Sequence, residues 1–181
     1  MRSCKGFTVT ELLACMAIMA VLFSMSVGHF SSLRERQHAA ATINQLSNAL
    51  QLARASALSQ RKRHTLCPSA NGENCSDDWS NGLLIHTGTH PTPGTIVTFY
   101  PRIGSGDLRW HGFGSGKSIQ FQGNGYLLVQ NGSFIYCPPT PDPRLARALI
   151  INKSGRIRAA EDRDGDGVVE MSSGQPVSCT K

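Results

Sequence analysis

Apolar and polar positions divide this chain into three stretches. From Phe7 to about Phe30 the residues are nearly all apolar, broken early by the carboxylate of Glu11. The chain then turns polar, yet Ile43, Leu46, Leu50, Ala53 and Ala57 recur at steps of three and four, with no Pro or Gly between Phe30 and Cys67. That spacing draws an apolar stripe along one face of an α-helix. It predicts a helix continuing to about Gln60, apolar all round in its first half and amphipathic in its second. Two separate helices hinged at Gly28 are the other arrangement the pattern allows.

Beyond Cys67, short runs of apolar and β-branched residues alternate with Gly, Pro and Asn. They predict strands at Leu83 to Thr87, Thr95 to Tyr100, Leu108 to Phe113, Ser118 to Phe121, Tyr126 to Val129 and Ser133 to Tyr136. A further pair, Ala148 to Asn152 and Arg156 to Ala159, surrounds Ser154-Gly155 as a hairpin does. The fold class expected is α+β, a long N-terminal helix packed on a C-terminal domain of one antiparallel sheet or two. Trp79, in a turn before an apolar strand, is expected to anchor the core. With 181 residues and a membrane-length segment at the front, about 150 remain for one compact domain.

The first apolar stretch is long enough to matter for location. A helix from Phe7 to His29 would extend roughly 34 Å, enough to cross the hydrocarbon core of a bilayer. Arg2 and Lys5 precede it, which places the N-terminus in the cytoplasm by the positive-inside bias. A secretory signal is cut beyond its apolar region, whereas the only leader-like boundary here precedes it. The helix would therefore stay on the mature protein. Glu11 within it costs a few kcal/mol unless it finds a partner or reaches the interface.

Composition changes this picture little, and the cysteines change it more. The formal charge of +6 is a mild basic excess, permitting an anionic partner without demanding one. Cys4 and Cys15 fall in the N-terminal stretches, leaving Cys67, Cys75, Cys137 and Cys179. Of three possible connectivities, a local bridge Cys67 to Cys75 with Cys137 to Cys179 is expected first. Zinc is the rival reading, but no CxxC pair or His-x-x-x-His spacing accompanies these residues. Disulfides imply an oxidising compartment, here the periplasm.

The segment Gly6-Phe7-Thr8-Val9-Thr10-Glu11-Leu12-Leu13 resembles the prepilin leader motif of type IV pilins and type II secretion pseudopilins. The resemblance implies a leader of residues 1–6 cut between Gly6 and Phe7 by a prepilin peptidase, and N-methylation of Phe7. It implies a membrane and filament-core helix over 7–30 and a periplasmic globular domain over 31–181. It also implies that Glu11 meets the free amino terminus of a neighbouring subunit during filament assembly. Residues 52–58 and 65–67, and later Asp78-Trp79-Ser80-Asn81-Gly82-Leu83-Leu84-Ile85, are similar to the FimT and GspH group of minor pilins and pseudopilins. Partners implied are other pilin or pseudopilin subunits, the peptidase and the inner membrane.

No catalytic set stands out, and no enzyme is expected. The sharpest feature outside the leader is Lys153-Ser154-Gly155-Arg156-Ile157-Arg158, where alternation puts Arg156 and Arg158 on one strand face. Side chains about 7 Å apart match the spacing of neighbouring phosphates along a nucleic-acid strand. This Gly-Arg-x-Arg segment resembles the motif by which FimT-type minor pilins are understood to bind DNA in natural transformation. Double-stranded DNA bound through Lys153, Gly155, Arg156 and Arg158 is one expectation. A solvated strand face in a purely structural pilus or type II secretion subunit is the other. Arg61-Lys62-Arg63 suits a helix end, where the dipole favours cations without any ligand. Asp162, Asp164 and Asp166, with Gly167 after them, begin like a calcium loop, but Ser173 stands where a bidentate Glu would close it. An acidic turn is the plainer reading, and no cofactor beyond a possible calcium ion is expected.

Overall fold

Thr8 and Glu11 start the first helix between them. Glu11 N lies 3.3 Å from Thr8 Oγ1, and Thr8 N lies 3.4 Å from Glu11 Oε2. This reciprocal capping box satisfies two of the donors that a helix start leaves free. The structure, a computed structural model, describes residues 8–113, 116–140 and 142–179, with the side chains of 25–32 outside that description. Gly6 and Phe7, the expected cleavage pair, lie outside the described residues.

The chain divides into two units, Met1–Arg36 and Gln37–Lys181. Helix α1 (Val9–Gln60) passes through Gly28 without a break, so the hinged alternative is not realised. Within the first unit Leu12, Leu13, Met16, Met19 and Phe23 are all exposed. Among the described residues no helix is long and apolar enough to cross a membrane. The expected span over 7–30 extends onto residues outside that description, Phe7 and the side chains of 25–32.

In the second unit the predicted stripe forms one wall of the core. Leu46, Leu50, Ala53 and Ala57 are fully buried and Ile43 nearly so. They pack in one cluster with Leu66, Leu83, Ile85, Ile119 and Phe121 from one sheet and Phe134, Tyr136, Leu149 and Ile151 from the other. Truncating a Leu buried like Leu46 to Ala would cost about 2–5 kcal/mol, the loss of transfer energy plus the cavity left behind.

Eight strands follow: β1 (His64–Pro68), β2 (Gly82–Thr87), β3 (Ile96–Pro101), β4 (Asp107–Gly112), β5 (Ile119–Phe121), β6 (Gly132–Cys137), β7 (Arg147–Ile151) and β8 (Ile157–Ala159). They form two antiparallel four-stranded sheets, ordered β3-β2-β1-β5 and β4-β6-β7-β8. Strand β1 is the element the hydropathy pattern missed. It lies between β2 and β5 and is buried at every position, so its His-Thr start shows no alternation. Trp79 anchors the core as expected, 4% exposed, its Nε1 donating to the Gly116 carbonyl at 2.8 Å and its ring edge-on to Phe134.

The expected strand over 126–129 is absent, and its backbone bonding explains why. Leu127 N donates to Lys153 O at the β7–β8 turn, while Leu128 N donates to Gln120 O on β5. Two adjacent residues thus bond to different sheets, and only an isolated bridge, Phe121 with Leu127, remains. The segment joins the sheets where a strand would have extended one of them.

Both disulfides form with the expected pairing, Cys67–Cys75 and Cys137–Cys179, with Cα separations of 5.6 and 5.7 Å. A second, smaller cluster, Ala146, Ala148, Ile150, Ala160, Val169 and Val177, lies away from the main core. There the second bridge holds the chain end to β6.

Candidate functional site

The β7–β8 hairpin turns on Asn152. Its carbonyl accepts from Gly155 N at 2.9 Å, and its Oδ1 accepts from Arg156 N at 2.9 Å and from Ser154 Oγ at 2.7 Å. Such side-chain bonds to the local backbone stabilise a tight turn. Gly155 takes φ +76°, in the left-handed region, and a Cβ there would stand 2.2 Å from the Gly125 carbonyl oxygen. Only glycine fits that approach. Gly155 is therefore a buried pivot, and the exposed residues around it are Asn152, Lys153, Ser154 and Arg156.

Strand pairing sets the face that Arg158 occupies. Arg158 stands opposite Ile150, and Ile157 opposite Ile151. Ile151 and Ile157 belong to the main core, whereas Ile150 belongs to the second cluster. Directly paired residues share a face, so Arg158, half-buried, lies on the side away from the main core. Among the described residues neither arginine is in an ion pair.

A residue that carried no signal of its own holds this hairpin. Arg54, on the second half of α1, donates from Nε to Gly125 O at 3.1 Å and from Nη2 to Ser154 O at 3.3 Å. One planar guanidinium thus clamps two turns, a geometry an ammonium cannot copy. The only hint in the sequence is a charged side chain immediately after Ala53 of the buried stripe.

The basic cluster at the helix end is brought close to the same turns. Arg61, at φ 51°, leaves the helix through a left-handed residue. Its backbone packs on the turn at 122–126, since a Cβ on Gly123 would meet the Arg61 carbonyl carbon and oxygen at 2.6 Å. Arg61 and Lys62 are exposed and Arg63 half-buried.

Asp162, Asp164, Asp166 and Glu170 converge, one oxygen of each lying within 4.8 Å of the others. Those carboxylates already serve their own loop. Asp162 accepts from Gly165 N and Gly167 N, Asp166 from Val168 N, and the buried Glu170 from Arg163 N. The turn is hydrogen-bonded, and its converging carboxylate oxygens keep lone pairs beyond those bonds. Cys67, Cys75 and His86 also lie together, but the two sulfurs are bonded to each other and are not free thiolates, the form in which cysteine binds zinc. Burial pushes the His86 pKa below 6.5, opposed in part by its hydrogen bond to the Thr87 carbonyl.

Comparison with known proteins adds family and fold. The family model described as type II transport protein GspH matches residues 42–155, and that of the prokaryotic N-terminal methylation motif matches residues 1–27. Among solved structures the chain is similar to the type IV minor pilin FimU of Pseudomonas aeruginosa strain PAO1. That match has 25% identity and a TM-score of 0.56, covering 83% of this chain and 99% of FimU. A second crystal form of FimU, at 23% identity and TM-score 0.52, covers 66% of this chain and 90% of FimU and supports the fold. Among curated proteins none matches.

Proposed function

This chain belongs to the GspH family of type II transport proteins and is a type IV pilin-like minor pilin or pseudopilin, and from that premise we propose that it binds DNA. The reading is of a FimT-like minor pilin, non-catalytic, held in the inner membrane by residues 7–30 until it enters a pilus. Cleavage after Gly6, N-methylation of Phe7 and pairing of Glu11 with a neighbouring amino terminus bring it there. DNA is held non-specifically by Lys153, Arg156 and Arg158 on the β7–β8 hairpin, for uptake in natural transformation.

The observation that carries this reading is the build of the hairpin. Asn152 and Arg54 fix a turn that presents Lys153 and Arg156 to solvent. A fixed backbone turn suits phosphate binding because little loop freedom is lost on contact.

The test uses the full chain in neutral-detergent micelles with a labelled 30-base-pair duplex, titrated across a salt series. Binding through phosphates weakens steeply with salt, and Arg156→Ala with Arg158→Ala lowers the salt slope by about two. No binding by the unaltered chain at low salt would overturn the reading.

The second reading is an assembly or priming subunit of a pilus or type II secretion pseudopilus, acting through protein contacts alone. The GspH match and the likeness to FimU favour it. Under it the double arginine variant leaves piliation and secretion unchanged, whereas deletion of the chain abolishes one of them.

A further inference from the structure

We infer that the DNA-binding surface does not end at the hairpin but continues across the turn at 122–126 onto Arg61 and Lys62 at the end of α1. The inference rests on the DNA reading above and extends it to a second group of contacts on a separate element.

Backbone contacts carry the argument. The hairpin abuts the 122–126 turn at Gly155, where a Cβ would stand 2.2 Å from Gly125 O, and Arg54 bonds both turns. The far side of the 122–126 turn abuts the helix end, where a Cβ on Gly123 would meet the Arg61 backbone at 2.6 Å. A Cβ on Gly125 would meet the Leu58 side chain at 3.0 Å, which seats the turn on the last helical turn. Gly123 and Gly125 are two residues apart, so Arg61 and Gly155 stand at most about 18 Å from each other. With neighbouring phosphates of one strand about 7 Å apart, that is a span of at most about three phosphates.

Charge is distributed in keeping with one continuous surface. No Asp or Glu occurs between Glu35 and Glu73, between Asp107 and Asp142, or between Asp142 and Glu161. The second half of α1, its end, the bridging turn and both hairpin strands are built from those segments. Among the described residues Arg61, Lys62, Lys153 and Arg156 are in no ion pair. A helix dipole accounts for cations at the end of α1. It does not account for a junction that sets those cations beside a second cationic turn with no carboxylate in the bridge. The ligand fitted by this surface is a polyanion with regularly spaced charges, the backbone of a nucleic acid.

The test again uses the full chain in micelles and the labelled duplex, with Arg61→Asn and Lys62→Gln introduced together. Asn tolerates the left-handed backbone at position 61, and an unchanged thermal melt confirms the fold. With the hairpin intact, the variant should bind about tenfold or more weakly at 100 mM salt, with a salt slope lower by about two. Unchanged affinity and slope, while Arg156→Ala with Arg158→Ala still weakens binding, would overturn this inference and leave the DNA reading standing. Absence of duplex binding by the unaltered chain would overturn both. Poly-glutamate is the control for an acidic protein as ligand, and displacement of the duplex by poly-glutamate as effective as by unlabelled duplex, charge for charge, would also sink it.

Discussion

Arg54 and Ser154 lie a hundred positions apart in the chain, and the guanidinium Nη2 of one stands 3.3 Å from the carbonyl oxygen of the other. With the 3.1 Å bond from Nε to Gly125 O, this contact ties helix α1 to the hairpin tip. Arg54→Ala is expected to destabilise the fold by about 1.5–3 kcal/mol, the usual range for losing hydrogen bonds from a charged donor. It should also weaken DNA binding, although Arg54 is not among the residues proposed to touch phosphate. Urea denaturation and duplex titration on the same preparations check both, and unchanged values in both would refute the clamp.

Two glycines separate backbone strain from collision. Gly155 and Gly165 take φ +76° and +82°, but a Cβ on Gly155 would meet Gly125 O at 2.2 Å whereas one on Gly165 would meet nothing within 4 Å. Gly165→Ala should cost about 1 kcal/mol, the strain alone. Gly155→Ala should cost several times as much, because the 122–126 turn must move. Equal shifts in the urea midpoint would refute that account of Gly155.

Glu11 has two separable roles, one seen in the structure and one proposed. It completes the capping box with Thr8, a part that glutamine can also play. Glu11→Gln therefore keeps the helix start and removes the charge. If pairing with a neighbouring amino terminus governs assembly, Glu11→Gln and Glu11→Ala both leave leader cleavage intact and both block incorporation into filaments. Incorporation of Glu11→Gln at the normal level would assign the residue to the cap alone.

His86 gives the second unit a defined acid sensitivity. Burial holds its pKa below 6.5, with His90 and His64 pushing the same way and its bond to Thr87 opposing. The unfolded chain takes up a proton near pH 6.5 that the native state refuses. The contribution is thus full above that pH and lost as pH falls towards the native pKa. The urea midpoint should drop between pH 7.5 and 5.5, and His86→Gln should flatten that drop. An identical pH dependence in the variant would place the sensitivity elsewhere.

Much of this architecture was legible in the sequence because it rests on local rules. The stripe from Ile43 to Ala57 has helical period, the Ser154-Gly155 hairpin has turn chemistry between two apolar runs, and the four soluble cysteines left a short list of pairings. What was missed depends on what lies across the fold. Strand β1 shows no alternation because it is covered on both faces, and residues 126–129 fail to form a strand because their hydrogen bonds divide between two sheets. For the site, alternation set Arg156 and Arg158 close together, but Gly155 proved to be a buried pivot. Arg54 was invisible because its partners are 71 and 100 positions away. No sequence window reports that a helix residue and two distant turns share one guanidinium.

The bridge between Cys137 and Cys179 has a mechanical consequence. It closes a covalent ring around the β7–β8 hairpin, the two cysteines being 42 positions apart. A tow applied at Arg156 can peel β8 from β7 and then β7 from β6, but the chain can pay out only as far as the ring permits. Each arm from hairpin to bridge reaches about 70 Å when fully stretched. At full extension the load divides between the two arms, one reaching Cys137 through peptide bonds and the other through Cys179 and the sulfur–sulfur bond, so the segment beyond Arg156 stays tied to β6 as one side of a closed link.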